Sequence, residues 1–180
     1  MIHQQQIQFA TDSIKNTRVK ITEDQWRLNY HVTAPAFWMN DPNGFCMFNN
    51  EFHLFYQHHP YSAEWGPMHW GHVKSKDLVH WEHLPIALAP SESYDQDGCF
   101  SGSAIEKDGR LYLFYTGNRW TGTNPDTDLK QVQCLAVSED GTLFEKMADN
   151  PVIADAPSGM YILFISVIQK FGKKKTITIV

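Results

Sequence analysis

Gly44-Phe45-Cys46-Met47-Phe48-Asn49-Asn50-Glu51-Phe52-His53-Leu54-Phe55-Tyr56-Gln57 and, further along, Ser103-Ala104-Ile105-Glu106-Lys107-Asp108-Gly109-Arg110-Leu111-Tyr112-Leu113-Phe114-Tyr115-Thr116 share one plan. Each is a pair of apolar runs joined by a polar turn, and Leu-Phe-Tyr recurs in both. The segments that follow also match. Trp70–Trp81 parallels Cys134–Phe144, and each leads to a proline-containing turn, at Pro85 and Pro151. Short runs rich in Phe, Tyr, Val and Leu, punctuated by Asn-Asn, Asp-Gly and Pro, are the pattern of an all-β chain. A period of about 60 residues, with about four strands per unit, is the signature of propeller blades. Blades cannot bury their faces alone, so the two present here imply more of their kind. The competing reading is two unrelated hairpins that happen to share common strand residues.

Upstream of the repeat, Gln4 to Trp26 mixes Gln, Lys, Ile and Ala without Pro or Gly, which predicts a short helix leading in. Downstream, Met160 to Val180 has neither alternation nor turn chemistry and carries a lysine run, so it makes a poor third blade. The expected organisation is a helical lead-in over 1–25, two blades over 26–159, and a tail over 160–180 that does not belong with them.

Composition narrows the function classes. A net charge of −5 over 180 residues, with no basic run before the tail, argues against nucleic acid as a partner. No apolar run reaches the roughly 20 residues that a membrane span needs, so no membrane association is expected. Met1 to Lys20 is polar and lacks the apolar stretch of a secretory signal, which makes the cytoplasm the expected compartment. The three cysteines, Cys46, Cys99 and Cys134, are widely spaced without a CxxC pair and suggest neither a disulfide framework nor a zinc site. His69, His72, His80 and His83 crowd one stretch, but without carboxylates at ligand spacing they are expected to serve as structural or hydrogen-bonding residues, with no metal. An aromatic share of 13% suits a sugar-binding cleft, although aromatics also fill ordinary cores.

The densest chemistry lies in His31-Val32-Thr33-Ala34-Pro35-Ala36-Phe37-Trp38-Met39-Asn40-Asp41-Pro42-Asn43-Gly44. Asp41-Pro42-Asn43-Gly44 is predicted to form a tight turn, because Pro fixes φ and Asn-Gly tolerates positive φ. Alone, such a turn is most simply a hairpin loop capped by its aspartate. Behind Trp38-Met39-Asn40, a carboxylate at its mouth, fixed by a neighbouring amide and backed by aromatics, suits attack on an anomeric carbon.

This stretch resembles glycoside hydrolase family 32, the β-fructofuranosidases, whose signature H-x-x-P-x-x-x-W-M-N-D-P-N-G is matched at every fixed position. The resemblance continues through Leu54–Gln57, Trp65–His72 and Asp97–Ser103, and covers about residues 20 to 159. It implies a five-bladed propeller, incomplete here, with the active site in the central funnel and no cofactor or metal. It implies retaining hydrolysis of the terminal β-D-fructofuranoside bond of sucrose or sucrose-6-phosphate through a covalent fructosyl-enzyme. In that scheme two carboxylates stand about 5–5.5 Å apart, one attacking and one protonating the leaving oxygen. Carried over by position, Asp41 is the nucleophile, and Trp38, Met39 and Asn40 line the fructosyl pocket. Gln57 hydrogen-bonds sugar hydroxyls, Trp65 forms an apolar wall, and Phe100 and Ser101 contact substrate from the second blade. On residue type alone, Gln57 could equally be a strand-end amide, and Trp65, Trp70 and Trp81 ordinary core residues.

Two elements of the family pattern are missing. No Arg-Asp-Pro follows Pro157-Ser158-Gly159, and no Glu-Cys carrying the general acid is present. One choice of codons for Leu163–Gln169, read two bases later, encodes Leu-His-Phe-Arg-Asp-Pro, so 160–180 is expected to be a frame-shifted reading. General acid–base help is typically worth about 10²–10⁴-fold. The chain as it stands is therefore expected to hydrolyse sucrose negligibly and, with open strand edges, to be poorly soluble. A levanase- or inulinase-type fructan hydrolase and a non-catalytic fructoside-binding fragment are the alternatives.

Overall fold

The computed structural model describes residues 2–21, 25, 27–28, 30–124 and 127–155. The tail from 160, with its proposed change of frame, lies outside the described residues. Within them the chain is one helix, α1 (His3–Arg18), followed by two antiparallel four-stranded sheets. The first sheet is β1 (Trp38–Phe48), β2 (Glu51–His59), β3 (His69–Ser75) and β4 (Glu82–His83), side by side in chain order. The second repeats that order with β5 (Cys99–Lys107), β6 (Arg110–Trp120), β7 (Leu129–Ser138) and β8 (Glu145–Lys146). The repeat is therefore a structural unit: two successive blades, each an up-and-down meander.

The two copies agree in their turns as well as their strands. Asn49 and Asn50 join β1 to β2 with φ of 50° and 62°, and Asp108 and Gly109 join β5 to β6 with φ of 54° and 74°. Two successive positive φ values give the hairpin turn whose twist suits antiparallel strands. After β3, Ser75 Oγ accepts the Leu78 N–H at 2.9 Å, and Asp77 Oδ1 accepts the Val79 and His80 N–H groups at 2.9 and 2.8 Å. After β7, Ser138 Oγ accepts the Gly141 N–H at 2.9 Å, and Asp140 Oδ1 accepts those of Thr142 and Leu143 at 2.7 and 2.9 Å. One Ser-x-Asp loop thus closes both blades.

The core lies between the sheets. Leu111, Leu113 and Tyr115 alternate along β6 and join Phe48, Phe55 and Trp70 of the first blade, Leu88 of the connecting segment and Phe144 of the loop before β8 in one buried cluster. The Phe55 ring lies 4.2 Å from that of His72 and meets Phe144 edge-on at 5.7 Å. Trp70 is fully buried, as a core reading of that residue expects.

Helix α1 ends at Arg18, short of the span to Trp26 that composition suggests. The Val19 N–H still reaches Lys15 O at 3.3 Å, but the Lys20 N–H turns to Thr17 O at 2.9 Å, tightening the last turn. Trp26 lies outside the described residues. On one face Ile7, Ala10 and Ile14 pack against Ile86 and Ala89 in the segment connecting the sheets. His3 Nε2 and Thr11 Oγ1 accept the Ala89 and Ile86 N–H groups, pinning α1 to that connection.

A second correction concerns Asp41–Gly44, which forms no tight turn. The four residues run inside β1, which is continuous from Trp38 to Phe48. Its pairing with β2 slips twice, between Met39↔His58 and Pro42↔Tyr56 and again between Asn43↔Phe55 and Cys46↔His53. Each slip is a bulge that sets two residues against one. Pro42 is tolerated because β1 is an edge strand. Gly44 does adopt positive φ (52°), and a Cβ there would lie 2.9 Å from the Phe55 ring and 3.0 Å from Ala104 Cβ. Glycine at this point lets β1 approach β5.

Candidate active site

The first bulge decides where the chemistry sits. With Met39 opposite His58 and Pro42 opposite Tyr56, Asn40 and Asp41 together face Gln57. The extra residue re-aims the chain, so the Asp41 carboxylate is half-buried and directed toward the second blade. There Ser101 Oγ donates to Asp41 Oδ2 at 2.6 Å. Ser101 occupies the corresponding irregularity of β5, where pairing slips between Phe100↔Thr116 and Gly102↔Tyr115. Two bulges, one in each inner strand, therefore meet at one carboxylate.

Asn43 locks the arrangement and supplies the neighbouring amide. It is 5% exposed. Its Nδ2 reaches Asp41 O at 3.2 Å and Oδ2 at 3.4 Å, while its Oδ1 accepts the Gly102 N–H at 2.8 Å. The sequence shows Asn43 only as a turn former; its bridging role needs β5 to be in place.

Gln57, 3% exposed, donates from Nε2 to the Cys99 carbonyl at 3.1 Å, so its amide bridges the two blades behind Asp41. Phe100 follows immediately. Its carbonyl accepts the Trp70 indole N–H at 3.3 Å, and its ring lies 6.4 Å from that of Trp65. Trp65 is 50% exposed and so is no core residue, while Trp81 is half-buried. Trp38 and Met39 lie one step away, at the start of β1. The Trp38 carbonyl accepts the His58 Nδ1 proton at 2.6 Å, and Met39 Sδ accepts the Ala34 N–H at 3.3 Å, turning Met39 toward the entry segment. Trp38 Nε1 is buried without a partner among the described residues. Asn40 is exposed. Asp41, Asn40, Gln57, Ser101, Phe100 and Trp65 are thus brought to one place, with Trp38 and Met39 at its edge. Trp120, which sequence reading does not single out, closes the Trp65–Phe100 group at 6.4 Å from each ring.

The cysteines and the clustered histidines His69 and His72 are tied up by burial and bonding. Burial pushes the Cys46 thiol up to about 11, the Cys134 thiol up to about 12 and the Cys99 thiol well above its usual value, so none is a ready nucleophile. Burial likewise holds His69 down to about 3 and His72 well below its ordinary value. His69 Nδ1 is bonded to Pro67 O at 2.9 Å, and His72 Nε2 to His53 Nδ1 at 2.9 Å. His80 bonds Asp77 at 2.7 Å on the surface. Asp41, by contrast, is a half-buried carboxylate held from two sides, by the Ser101 hydroxyl and the Asn43 amide.

The profile of the glycosyl hydrolases family 32 N-terminal domain matches residues 31–164. The chain belongs to glycosyl hydrolase family 32. Among its relatives, the sucrose-6-phosphate hydrolase of Escherichia coli is 54% identical over 133 residues, 73% of this chain and 27% of that protein. The levanase of Bacillus subtilis is 48% identical over 135 residues, 73% of this chain and 20% of that protein. Among solved structures, a Bombyx mori GH32 β-fructofuranosidase superposes with a TM-score of 0.75 at 44% identity, covering 84% of this chain and 31% of that one. A mutant of the same Bombyx mori enzyme was solved in complex with sucrose. The two sheets are therefore the first blades of the family 32 five-bladed propeller. The chain spans between a fifth and a third of the length of these relatives. No helix among the described residues is long and apolar enough to cross a membrane.

Proposed function

We propose that this family 32 chain provides the nucleophilic side of a site hydrolysing the terminal β-D-fructofuranoside bond of sucrose or sucrose-6-phosphate. Asp41 attacks the anomeric carbon C2, the bond from C2 to the leaving oxygen breaks, and a fructosyl ester on Asp41 results. A protonated group must supply the leaving oxygen with its proton, and water then releases the fructosyl unit with retention. Asn40, Trp38, Met39 and Gln57 line the fructosyl side, while Trp65, Phe100 and Ser101 form the opposite wall. The observation that carries this reading is the Ser101–Asp41 bond at 2.6 Å, which presents one carboxylate at the junction of two blades. The identity to sucrose-6-phosphate hydrolases supports a sucrose-type substrate over a fructan, and a phosphorylated sugar as substrate would fit a cytoplasmic protein. We further propose the organisation 1–25 as lead-in and 26–159 as two blades.

The test exploits a leaving group that needs no proton. With β-D-fructofuranosyl fluoride, Asp41 forms the C2–O bond as fluoride departs with its electron pair. Intact-mass measurement of the 180-residue chain should show the gain of one fructosyl unit, located on the peptide containing Asp41 and absent in Asp41→Asn. No gain, or a gain on another residue, overturns the reading and advances the non-catalytic binding fragment.

A further inference from the structure

Three aromatic rings from three separate segments meet around Phe100, the neighbour in sequence of the Ser101 that bonds Asp41. Trp65 comes from the loop between β2 and β3, Phe100 from β5, and Trp120 from the end of β6. Each pair of ring centroids is 6.4 Å apart, with planes inclined at 81°, 53° and 70°, so the rings form a triangular cup rather than a stack. None of them belongs to the buried cluster between the sheets. Trp65 is 50% exposed, and Phe100 and Trp120 are only partly covered. Large apolar rings left half in water at a defined cluster mark a surface that meets a ligand.

The cup is held by bonds that no core requirement explains. The Trp120 N–H donates to Asp97 Oδ2 at 2.8 Å, and the Asp97 N–H donates to Asn118 O at 3.1 Å, so the loop leading into β5 fixes the end of β6. Gly98 stands beneath Phe100, where a Cβ would lie 2.6 Å from its ring. The next residue after Phe100 is Ser101, which grips Asp41 at 2.6 Å. The distance from the reacting carboxylate to the cup is thus set by adjacent residues of one strand.

We infer that Trp120 is a specificity-determining residue, which together with Trp65 forms the platform for the sugar that leaves when the fructosyl unit is transferred to Asp41. The inference rests on the function proposed above. The fructosyl ring must sit over Asp41 among residues of β1 and β2, so the departing sugar projects away from them, toward the second blade. A hexose ring has an apolar C–H face that an indole covers, and its polar edge remains in water at a half-exposed cup. The contribution falls on the leaving sugar alone. A fructoside with a methyl leaving group presents nothing for Trp120 to cover.

The test compares sucrose with methyl β-D-fructofuranoside, which share the fructosyl unit, in ¹⁵N-resolved NMR titrations of the indole N–H signals of the 180-residue chain. Both ligands should move the Trp38 signal, and only sucrose should move those of Trp65 and Trp120. Trp120→Ala should weaken sucrose binding about tenfold and leave methyl fructoside within about twofold. Trp120→Phe, which keeps a ring, should restore most of the loss. Equal movement of Trp120 by both ligands, or equal weakening of both by the substitution, overturns the inference while leaving the proposed function standing. The two-ligand comparison on the unaltered chain decides the matter even where Trp120→Ala fails to fold. If neither ligand moves any indole, the proposed function falls and the inference with it.

Discussion

Ser101 Oγ donates to Asp41 Oδ2 at 2.6 Å, and this bond joins the innermost strands of two blades whose partners lie 60 positions apart in the chain. A hydroxyl here orients the carboxylate. Ser101→Ala removes the orientation and leaves the strand pairing untouched. Labelling of Asp41 by β-D-fructofuranosyl fluoride should slow about tenfold, the scale of one hydrogen bond to a charged group. Ser101→Thr, retaining the hydroxyl, should stay within about threefold of the parent by the same scale. A full parent rate in Ser101→Ala would show that Asn43 alone holds the Asp41 carboxylate.

Asn43 carries a heavier load because it is buried and satisfies groups on both strands. Asn43→Ala strands the Gly102 N–H, which loses its 2.8 Å acceptor, and frees Asp41 from its amide. An unsatisfied buried donor costs about 1–3 kcal/mol. The urea midpoint should fall accordingly, with the denaturant slope unchanged, and labelling at Asp41 should fall further than in Ser101→Ala. Unchanged stability would contradict the bridge.

The fold was legible because its signals are local. Period-two runs, Asn-Asn and Asp-Gly turns, and the recurrence of Leu-Phe-Tyr all act within one hairpin, and the Ser-x-Asp loops repeat within a few residues. The family motifs single out Asp41, Gln57, Phe100 and Ser101, and the pairing of the two blades brings these residues close together. What escaped is set by pairing across distance. Asp41-Pro42-Asn43-Gly44 has the composition of a turn, yet alignment against His58 and Tyr56 of β2 draws it into a bulged strand. Trp120 carries no local mark, since its meaning comes from Trp65 and Phe100 on other segments. The same holds for Lys146 and Asp95, an ordinary-looking pair 51 residues apart that meets in the interior.

That pair should be the most sensitive point of the second blade. Lys146 Nζ bonds Asp95 Oδ2 at 2.5 Å, with side chains only 6% and 0% exposed. The ammonium also donates to Ala89 O at 2.8 Å and Ser91 Oγ at 2.9 Å, and the Tyr115 hydroxyl donates to the same carboxylate at 2.9 Å. Removing one partner of a buried pair costs about 3–5 kcal/mol, because a charge is left uncompensated. Lys146→Ala should therefore largely unfold the chain at 25 °C. Lys146→Met combined with Asp95→Asn should lose much less than the sum of the single substitutions, which a double-mutant cycle in urea would read. Additive losses would mean that the two charges act independently.

The buried histidines His3, His58 and His69 make stability depend on mildly acidic pH. Burial holds His58 down to about 4, and His3 and His69 down to about 3. For His3, the positive charge of Lys146 adds to that effect and the carboxylate of Asp95 opposes it. In the unfolded chain such histidines take up a proton near their ordinary value of 6.5. Between that value and the depressed ones the unfolded state binds more protons than the folded state, so unfolding becomes easier as pH falls. The stabilisation is complete above pH 6.5, declines as pH drops below it, and is exhausted once the folded values of 3 to 4 are passed. Each histidine contributes a slope of about 1.4 kcal/mol per pH unit within its window. The aspartates whose pKa values are lowered, such as Asp140, act in the same direction only below their ordinary value of 3.8, so pH 6.5 to 4 isolates the histidines. Urea midpoints should fall steadily across that interval, and His69→Gln, neutral at every pH, should flatten the fall by one histidine's share. A midpoint constant from pH 6.5 to 4 would mean that these rings are already protonated in the folded chain, against the burial that surrounds them.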